Sequence, residues 1–320
     1  MISVEYLVLR NNVECTRLTA DSETAAQVSM DNTPPIKMTL IGDFEINGKV
    51  NTLTDRLQVI MHINGTAYPL GKYVICGIEP QTTPAGRRVG SYTAYDLTYL
   101  VQSSKTERRY YIAAGTKYTD ALQTLLIESG ITDYIIEPSD ATIRTAREDW
   151  EPGTSRMDIC NDLMAEINYN SLWMDLQGTI RCSKYKQATA ANIAHSYSPG
   201  RYSMLYPETE QVIDTFDRAN VFIRVVEDAE NQTPLRAESV NNDPDSALST
   251  VNQLRRVVDY DTLDNIANQE ELQAFVDNLK FKSLLATTET TFSTGPNPVH
   301  QAFDVVALSF GQSSGIYAET

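Results

Sequence analysis

Asp149 and Glu151 flank Trp150. Two carboxylates beside an indole are the equipment of a glycoside hydrolase: one protonates the leaving oxygen, the other attacks or activates water, and the ring stacks on a sugar. Residues two apart in an extended segment share a face, however, so a surface strand presents the same pattern without any catalytic use. The three histidines are His62, His195 and His300. His62 falls inside a strand pattern, His195 in a stretch of small residues that reads as a linker, and His300 beside prolines. No HExxH pair and no GxSxG elbow accompanies them, so neither a zinc hydrolase nor a serine triad has local support. Asp243, Asp245, Asp259, Asp261 and Asp264 offer hard oxygen ligands, but without the spacing, central glycine and distal Glu of an EF-hand. Solvated loops are the expectation. No Walker motif or GxGxxG occurs. Arg108-Arg109-Tyr110-Tyr111 combines charge with rings, as single-strand nucleic-acid sites do, but it is one short patch, and an Arg pair on an interface or surface strand is the expectation. No catalytic, cofactor-binding or metal-binding residue is assigned, and no cofactor is expected.

The chain has 320 residues and a net charge of −16. Phosphate binding requires clustered Lys and Arg, so specific nucleic-acid binding is not expected. Hydrophobic residues make up 42%, enough for real cores, and the length suggests two or three domains. Cys15, Cys76, Cys160 and Cys182 form no CxxC pair, which fits a reduced, cytosolic place of assembly. The N-terminus carries no signal-peptide pattern. No apolar run approaches the roughly 20 residues of a membrane span, so no stable membrane anchor is expected.

These residues must be held by elements whose patterns are mostly those of strands. Ile36–Leu40 alternates apolar and polar side chains. Leu57–Ile63 leads into Asn64-Gly65, the dipeptide of a type I′ turn, and Tyr68–Ile78 returns with Pro69 and Gly71 bending it. After a loop at Gln81–Gly86, Tyr92–Leu97 is another strand. Many short strands with turns between them suggest a barrel or sandwich. Past Ser103-Ser104-Lys105 the pattern becomes helical. Thr119 is placed as the cap of a helix running to Ser129, with Ala121, Leu122, Leu125 and Leu126 on one face and Gly130 as its C′ residue. Ser155 caps a second helix with a stripe of Met157, Cys160, Leu163, Met164 and Ile167. Ser171–Met174 and Thr179–Cys182 form a hairpin turned by Gly178, and Trp173, between Leu172 and Met174, is expected in the core. Residues 186–200 read as a linker. Strand patterns return at Asn220–Val226, Thr288–Phe292 and Asp304–Leu308. Asn241–Asp245 is a polar loop. Asn268 and Glu271 resemble a capping box, opening a helix with Leu272, Phe275, Val276 and Leu279 on one face and Lys280 and Lys282 near its end.

In order and spacing these elements resemble the hub proteins of phage tail baseplates and of phage-tail-like particles. The likeness rests on Tyr118–Leu126 with Gly130-Ile131, on Trp150 through the Met157–Ile167 helix to Arg181, and on Asn220-Val221 through the Asn268–Leu285 helix to Asp304-Val305-Val306. It implies an α+β, mainly β architecture of two tube-like β-barrel or sandwich domains, residues 1–103 and 195–320, around an α+β insertion, residues 104–194. It also implies a structural, non-enzymatic homotrimer whose two similar domains make a pseudo-sixfold ring that meets a sixfold tail tube. The implied partners are a tail tube protein, a spike or tail-tip protein, a tape-measure protein and other baseplate proteins, in a virion tail baseplate assembled in the bacterial host cytoplasm. Some relatives carry a lysin region after the hub; the sequence reaches Thr320 without one, and lytic activity is not expected. An acidic lumen would repel passing DNA. The alternatives are a peptidoglycan- or glycan-active tail hydrolase using the carboxylates around Trp150, and a carbohydrate-binding β module with Trp150 or Trp173 as its platform.

Overall fold

Alternation of apolar and polar residues builds the first sheet. The computed structural model describes residues 2–20, 26–32, 35–45, 50–82, 88–198, 205–213, 218–226, 234–263, 265–285, 288–295, 297–310 and 313–318. Strands β1 (Ile2–Arg10), β2 (Val13–Leu18), β3 (Gln27–Met30), β4 (Met38–Glu45), β5 (Arg56–Ile63), β6 (Thr66–Thr82) and β7 (Arg88–Asp96) form a seven-stranded sheet in the order β2-β1-β5-β6-β7-β4-β3. Every neighbouring pair is antiparallel. Val8, Leu40, Phe44, Leu57, Val59 and Tyr92 point to one face and are buried. Beyond β2, Ala20 bridges to Phe44 and the Glu45 amide donates to Thr19 O at 3.0 Å. This contact ties the β2 end of the sheet to β4 near its other end, so the sheet curls around its core as a barrel does. Asn64 and Gly65 have φ of 51° and 86°, as the type I′ turn requires. Gly71, at φ 104°, sits at a bulge where the pairing steps from Gln58–Lys72 to Ile60–Pro69.

The middle of the chain packs onto this sheet. It contains α1 (Thr98–Ser103), β8 (Tyr110–Ile112), α2 (Tyr118–Glu128), β9 (Tyr134–Ile136), β10 (Arg147–Trp150), α3 (Arg156–Ala165), β11 (Trp173–Met174) and β12 (Ile180–Cys182). Helix α2 buries Ala121, Leu122, Leu125 and Leu126 and is followed by Gly130 at φ 78°. Its cap is not Thr119. The residue before the helix is Lys117, which bridges to Thr142, and the Tyr118 amide donates to Ala141 O at 3.2 Å. A neighbouring segment satisfies the first donor, leaving Thr119 inside the first turn. Ser155 does cap α3, its Oγ accepting from the Asp158 amide at 3.1 Å. Strands β11 and β12 form the hairpin around Gly178, whose φ is 88°. Val8, Leu57, Tyr73, Leu122, Leu163, Met174 and Cys182 belong to one continuous buried cluster. The core of the first sheet therefore runs past residue 103 into the helices.

The last part of the chain has a 3-10 turn at Ala190–Asn192, then β13 (Ile193–Tyr197), β14 (Leu205–Ile213), β15 (Val221–Val226), β16 (Leu235–Val240), α4 (Thr250–Gln253), β17 (Val258–Leu263), α5 (Gln269–Leu285), β18 (Thr288–Thr294), β19 (Val305–Phe310) and β20 (Ser313–Ala318). The sheets are β13-β19-β20, β14-β18 and β16-β15-β17. The expected linker is thus in part a strand: β13 pairs in parallel with β19, because the backbone of small residues ladders as well as any other. Asn268 caps α5 through its Oδ1, which accepts from the Glu271 amide at 2.9 Å. The Glu271 carboxylate accepts from Asn168 in the middle of the chain. Helix α5 lays Leu272 and Val276 on Phe222, Val226 and Ala237. Among the described residues no helix is long and apolar enough to cross a membrane.

Candidate assembly surfaces and the joints between segments

The corner around Trp150 is built for packing. Trp150 is 5% exposed, and its indole N–H donates to Asp162 at 2.8 Å. The Arg147 guanidinium lies over its ring, 4.4 Å from the centroid. Arg147 Nε donates to both Asp149 oxygens, at 3.0 and 2.9 Å, and its Nη1 pairs with Glu166, which also accepts from the Tyr118 hydroxyl. Burial disfavours the charge on Asp149, but its bonds to Arg147 outweigh this and hold its carboxyl below the usual range. Burial pushes Glu166 up, against the field of Arg147 and the Tyr118 hydrogen bond. Glu151 points to Arg109 and forms an ion pair with it. Both carboxylates on which the alternative hydrolase reading rests are thus engaged by arginines, and the indole between them is covered. Arg109 of the basic-aromatic run is used here too. Tyr110 meets Trp150 edge-on at 6.5 Å, and Tyr111 remains 62% exposed.

The other candidates disperse. His62 lies 3.4 Å from Glu5 on the adjoining strand. The His195 and His300 rings lie 4.2 Å apart, tilted by 35°, in the last part of the chain. Asp243 and Asp245 lie in a turn, where the Asp245 amide donates to Asp243 at 2.9 Å. Asp259 and Asp261 stand on strand β17 rather than in a loop, and Asp259 pairs with Arg224 at 3.1 Å. Asp264 lies outside the described residues, among which no acidic, His or Cys group has metal-binding geometry. The cysteines are free. Burial pushes the Cys182 thiol up to about 12 and Cys160 well above its ordinary value, so both are inert core residues.

Polar and aromatic joints hold the three segments together. Pairing slips at the β6 bulge, and the Gly71 amide there donates to Leu176 O at 2.9 Å. Gly178 lies against Lys72, and a Cβ at that position would come within 2.5 Å of the lysine side chain. Trp173 is half-buried rather than in the core. Its N–H donates to Ser183 at 3.0 Å, and its ring meets Phe303 edge-on at 6.1 Å. Lys37 stands 5.8 Å from the same Phe303 ring. Farther along, Asn168 donates to the Glu271 side chain at 2.8 Å and to its carbonyl at 3.0 Å. Gln187 donates to Asn278 at 3.1 Å, and Lys282 lies 4.1 Å from the Tyr185 ring centroid.

Among the described residues, β1 and β17 leave apolar side chains open. On β1, Ile2 and Val4 continue the inward face of Tyr6 and Val8 beyond the core, beside Ile63 and Met61 of β5, and are 55% and 37% exposed. Strand β2 pairs only from Tyr6 onward, so among the described residues nothing ladders onto the Ile2–Glu5 edge. On β17, Val258 and Tyr260 align with Val221 and Ile223, opposite the face that α5 covers, and are 51% and 60% exposed. Among the described residues, strand β17 pairs on one side only. Open edges and uncovered apolar faces are the features by which one chain recognises another.

No protein-family profile and no curated protein matches the chain. Solved structures do. A tail protein from Neisseria meningitidis MC58 superposes with a TM-score of 0.67 at 13% identity, covering 98% of this chain and 89% of that one. The 43 kDa tail protein of prophage MuSo2 from Shewanella oneidensis gives 0.62 at 10% identity over 96% and 89%. Prophage tail protein gp18 from Listeria monocytogenes EGD-e gives 0.60 at 11% identity over 98% and 87%. The chain has the tail-protein fold. The mainly β, α+β architecture expected from the sequence is the one observed. Sequence reasoning missed the joints: Gly71, Leu176, Trp173 and Phe303 carry no local signal of meeting, beyond the turn glycines that place them.

Proposed function

We propose that the chain is a structural baseplate hub of a phage tail or phage-tail-like particle. In this reading residues 1–103 and 195–320 are two tube-like β domains around the insertion 104–194, and three chains form a pseudo-sixfold ring around the DNA channel. The ring joins the tail tube protein to a spike or tail-tip protein, with a tape-measure protein and other baseplate proteins as neighbours. Its place is the virion tail, with assembly in the host cytoplasm, and it turns over no substrate. The observation that carries this reading is the tail-protein fold over 98% of the chain. The engagement of Asp149 and Glu151 by Arg147 and Arg109 supports it against a hydrolase. So do the open β1 and β17 edges, which suit a chain that completes itself with neighbours. Residues 195–320 carry 19 Asp and Glu against 8 Lys and Arg, the composition of a surface that repels phosphates.

Electron microscopy of the purified chain, alone and mixed with its tube and spike proteins, tests the proposal. A threefold ring with a central hole is expected. A compact monomer under both conditions would refute it. A ring whose lumen is lined by Lys and Arg would remove the acidic channel while leaving the hub.

A further inference from the structure

Edge strands that stay solitary are guarded by charges, and two edges of this chain lack that guard. The edge strand β2 shows Glu14 and Arg17, paired at 2.7 Å, and β16 shows Arg236 and Glu238, paired at 2.9 Å. By contrast β1 and β17 each expose two large apolar side chains, where β2, β4, β8, β9 and β14 expose one each among the described residues. On each strand the two alternate, Ile2 with Val4 and Val258 with Tyr260, so each pair lies on one face beside an unpaired stretch of backbone. An added strand covers such side chains and ladders onto the free N–H and C=O groups. The two edges do not meet within the chain: among the described residues β17 pairs with β15 alone, and β1 with β2 and β5.

We propose that the Ile2–Glu5 edge of one copy pairs antiparallel with the β17 edge of a second copy, Val4 beside Val258 and Ile2 beside Tyr260. The occupant of each open edge is thus the other open edge of the same protein. Charge selects the direction. A parallel strand that matched the apolar pairs, Ile2 with Val258 and Val4 with Tyr260, would set Glu5 opposite Asp261, and like charges placed opposite one another destabilise a sheet. The antiparallel register sets Glu5 opposite Val257, next to Arg255 and Arg256 in sequence, and away from Asp261. Arg255 is exposed and makes no ion pair among the described residues, while Arg256 pairs with Glu238 at 2.6 Å. Glu5 lies 3.2 Å from Arg17 and 3.4 Å from His62, and its side chain stays 38% exposed. Because β1 belongs to residues 1–103 and β17 to residues 195–320, the contact is heterologous and alternates the two segments from copy to copy. Its closure into a ring rests on the hub reading; the pairing of the edges does not.

Disulfide trapping on the full chain tests the pairing. The exposed Cys15 and Cys76 are first replaced by serine, and the buried Cys160 and Cys182 stay. Chains carrying Val4→Cys are mixed with chains carrying Val258→Cys, with and without the tube and spike proteins, and oxidised by copper phenanthroline in air. A disulfide needs Cα atoms within about 7 Å of each other, so a heterodimer that reducing agent dissolves is expected. Ile2→Cys with Tyr260→Cys should give it as well, and Val4→Cys with Tyr260→Cys, the parallel match, should give less. Adding Tyr260→Lys to the Val258→Cys chain should remove the heterodimer, because a lysine on an edge blocks an added strand. No heterodimer in any mixture, joining of Val4→Cys chains to one another in its place, or preference for the parallel match overturns the pairing. A threefold ring that forms without the cross-link overturns the pairing and leaves the hub. The cross-link in open filaments leaves the pairing and overturns the ring. All four positions are exposed; should one variant not fold, the other antiparallel pair decides the question.

Discussion

Residues up to Cys182 and residues from Ile193 onward are stabilised in different ways. The first share one buried cluster running from Val8 on the sheet through Leu122 and Leu163 to Cys182. The second have, among the described residues, two smaller clusters, one under α5 and one made of Tyr197, Val306 and Leu308. Charge differs too: residues 1–182 carry 23 acidic against 16 basic residues, and residues 193–320 carry 19 against 8. Apolar burial rises with core size, while like charges oppose compaction. The first part is thus a frame held by its own interior. The second meets that frame through Ala267, which is packed in the first cluster, and through side-chain contacts that include Phe303 on Trp173 and Glu271 on Asn168.

The largest expected effect breaks the frame. Arg147→Ala leaves Glu166 and Tyr118 buried without their cation, and should cost about 3–5 kcal/mol in denaturant unfolding. A loss below about 1 kcal/mol would mean the buried network is incidental. Next, Phe222→Ala removes a fully buried aromatic side chain of the α5 cluster, worth about 3 kcal/mol locally. Hydrogen exchange should show lost protection in β15–β17 and none lost in α2 and α3; equal loss in both would erase the distinction between frame and appendage. Gly178→Ala should cost about 1–2 kcal/mol, because φ is 88° and the new methyl meets Lys72. Thermal scans would check this, and Lys72→Ala should relieve only the steric part. The smallest effect is electrostatic. The Arg10 hydrogen bond, working against burial and helped by the Asn51 amide, holds Asp55 down at about 2. The contribution is whole above the ordinary carboxylate range and disappears as pH falls toward 2. Arg10→Met should therefore raise the acid-unfolding midpoint, and an unchanged midpoint would show the pair to be irrelevant.

What was legible in the sequence was local. Asn64-Gly65 dictates its turn, Gly130 and Gly178 their left-handed positions, and Ser155 its cap, because each acts on its own backbone. The apolar stripes of α2, α3 and α5 fell where the 3.6-residue period placed them. Strand β13 was hidden because Ile193–Tyr197 lacks a branched or aromatic run and acquires its ladder from β19, more than a hundred residues away. The α2 cap was misplaced for a similar reason: Ala141 supplies the acceptor that Thr119 was assigned. Trp150 looked like a sugar platform because Arg147 and Asp162, which cover it, are identifiable as its partners only after folding. The placing of Trp173 in the core failed for want of Phe303, which local sequence cannot bring near.

The continuous core also sets a timetable. Val8 and Cys182 are packed in the same interior, so a nascent chain that has emitted the whole first sheet still exposes much of the face that α2 and α3 will cover. Synthesis proceeds at about 5–20 residues per second. For several seconds the growing chain therefore carries an unfinished apolar surface with the free β1 edge beside it. The ribosome, its nascent chain and the chaperones attending it meet that surface before any other copy of the protein does.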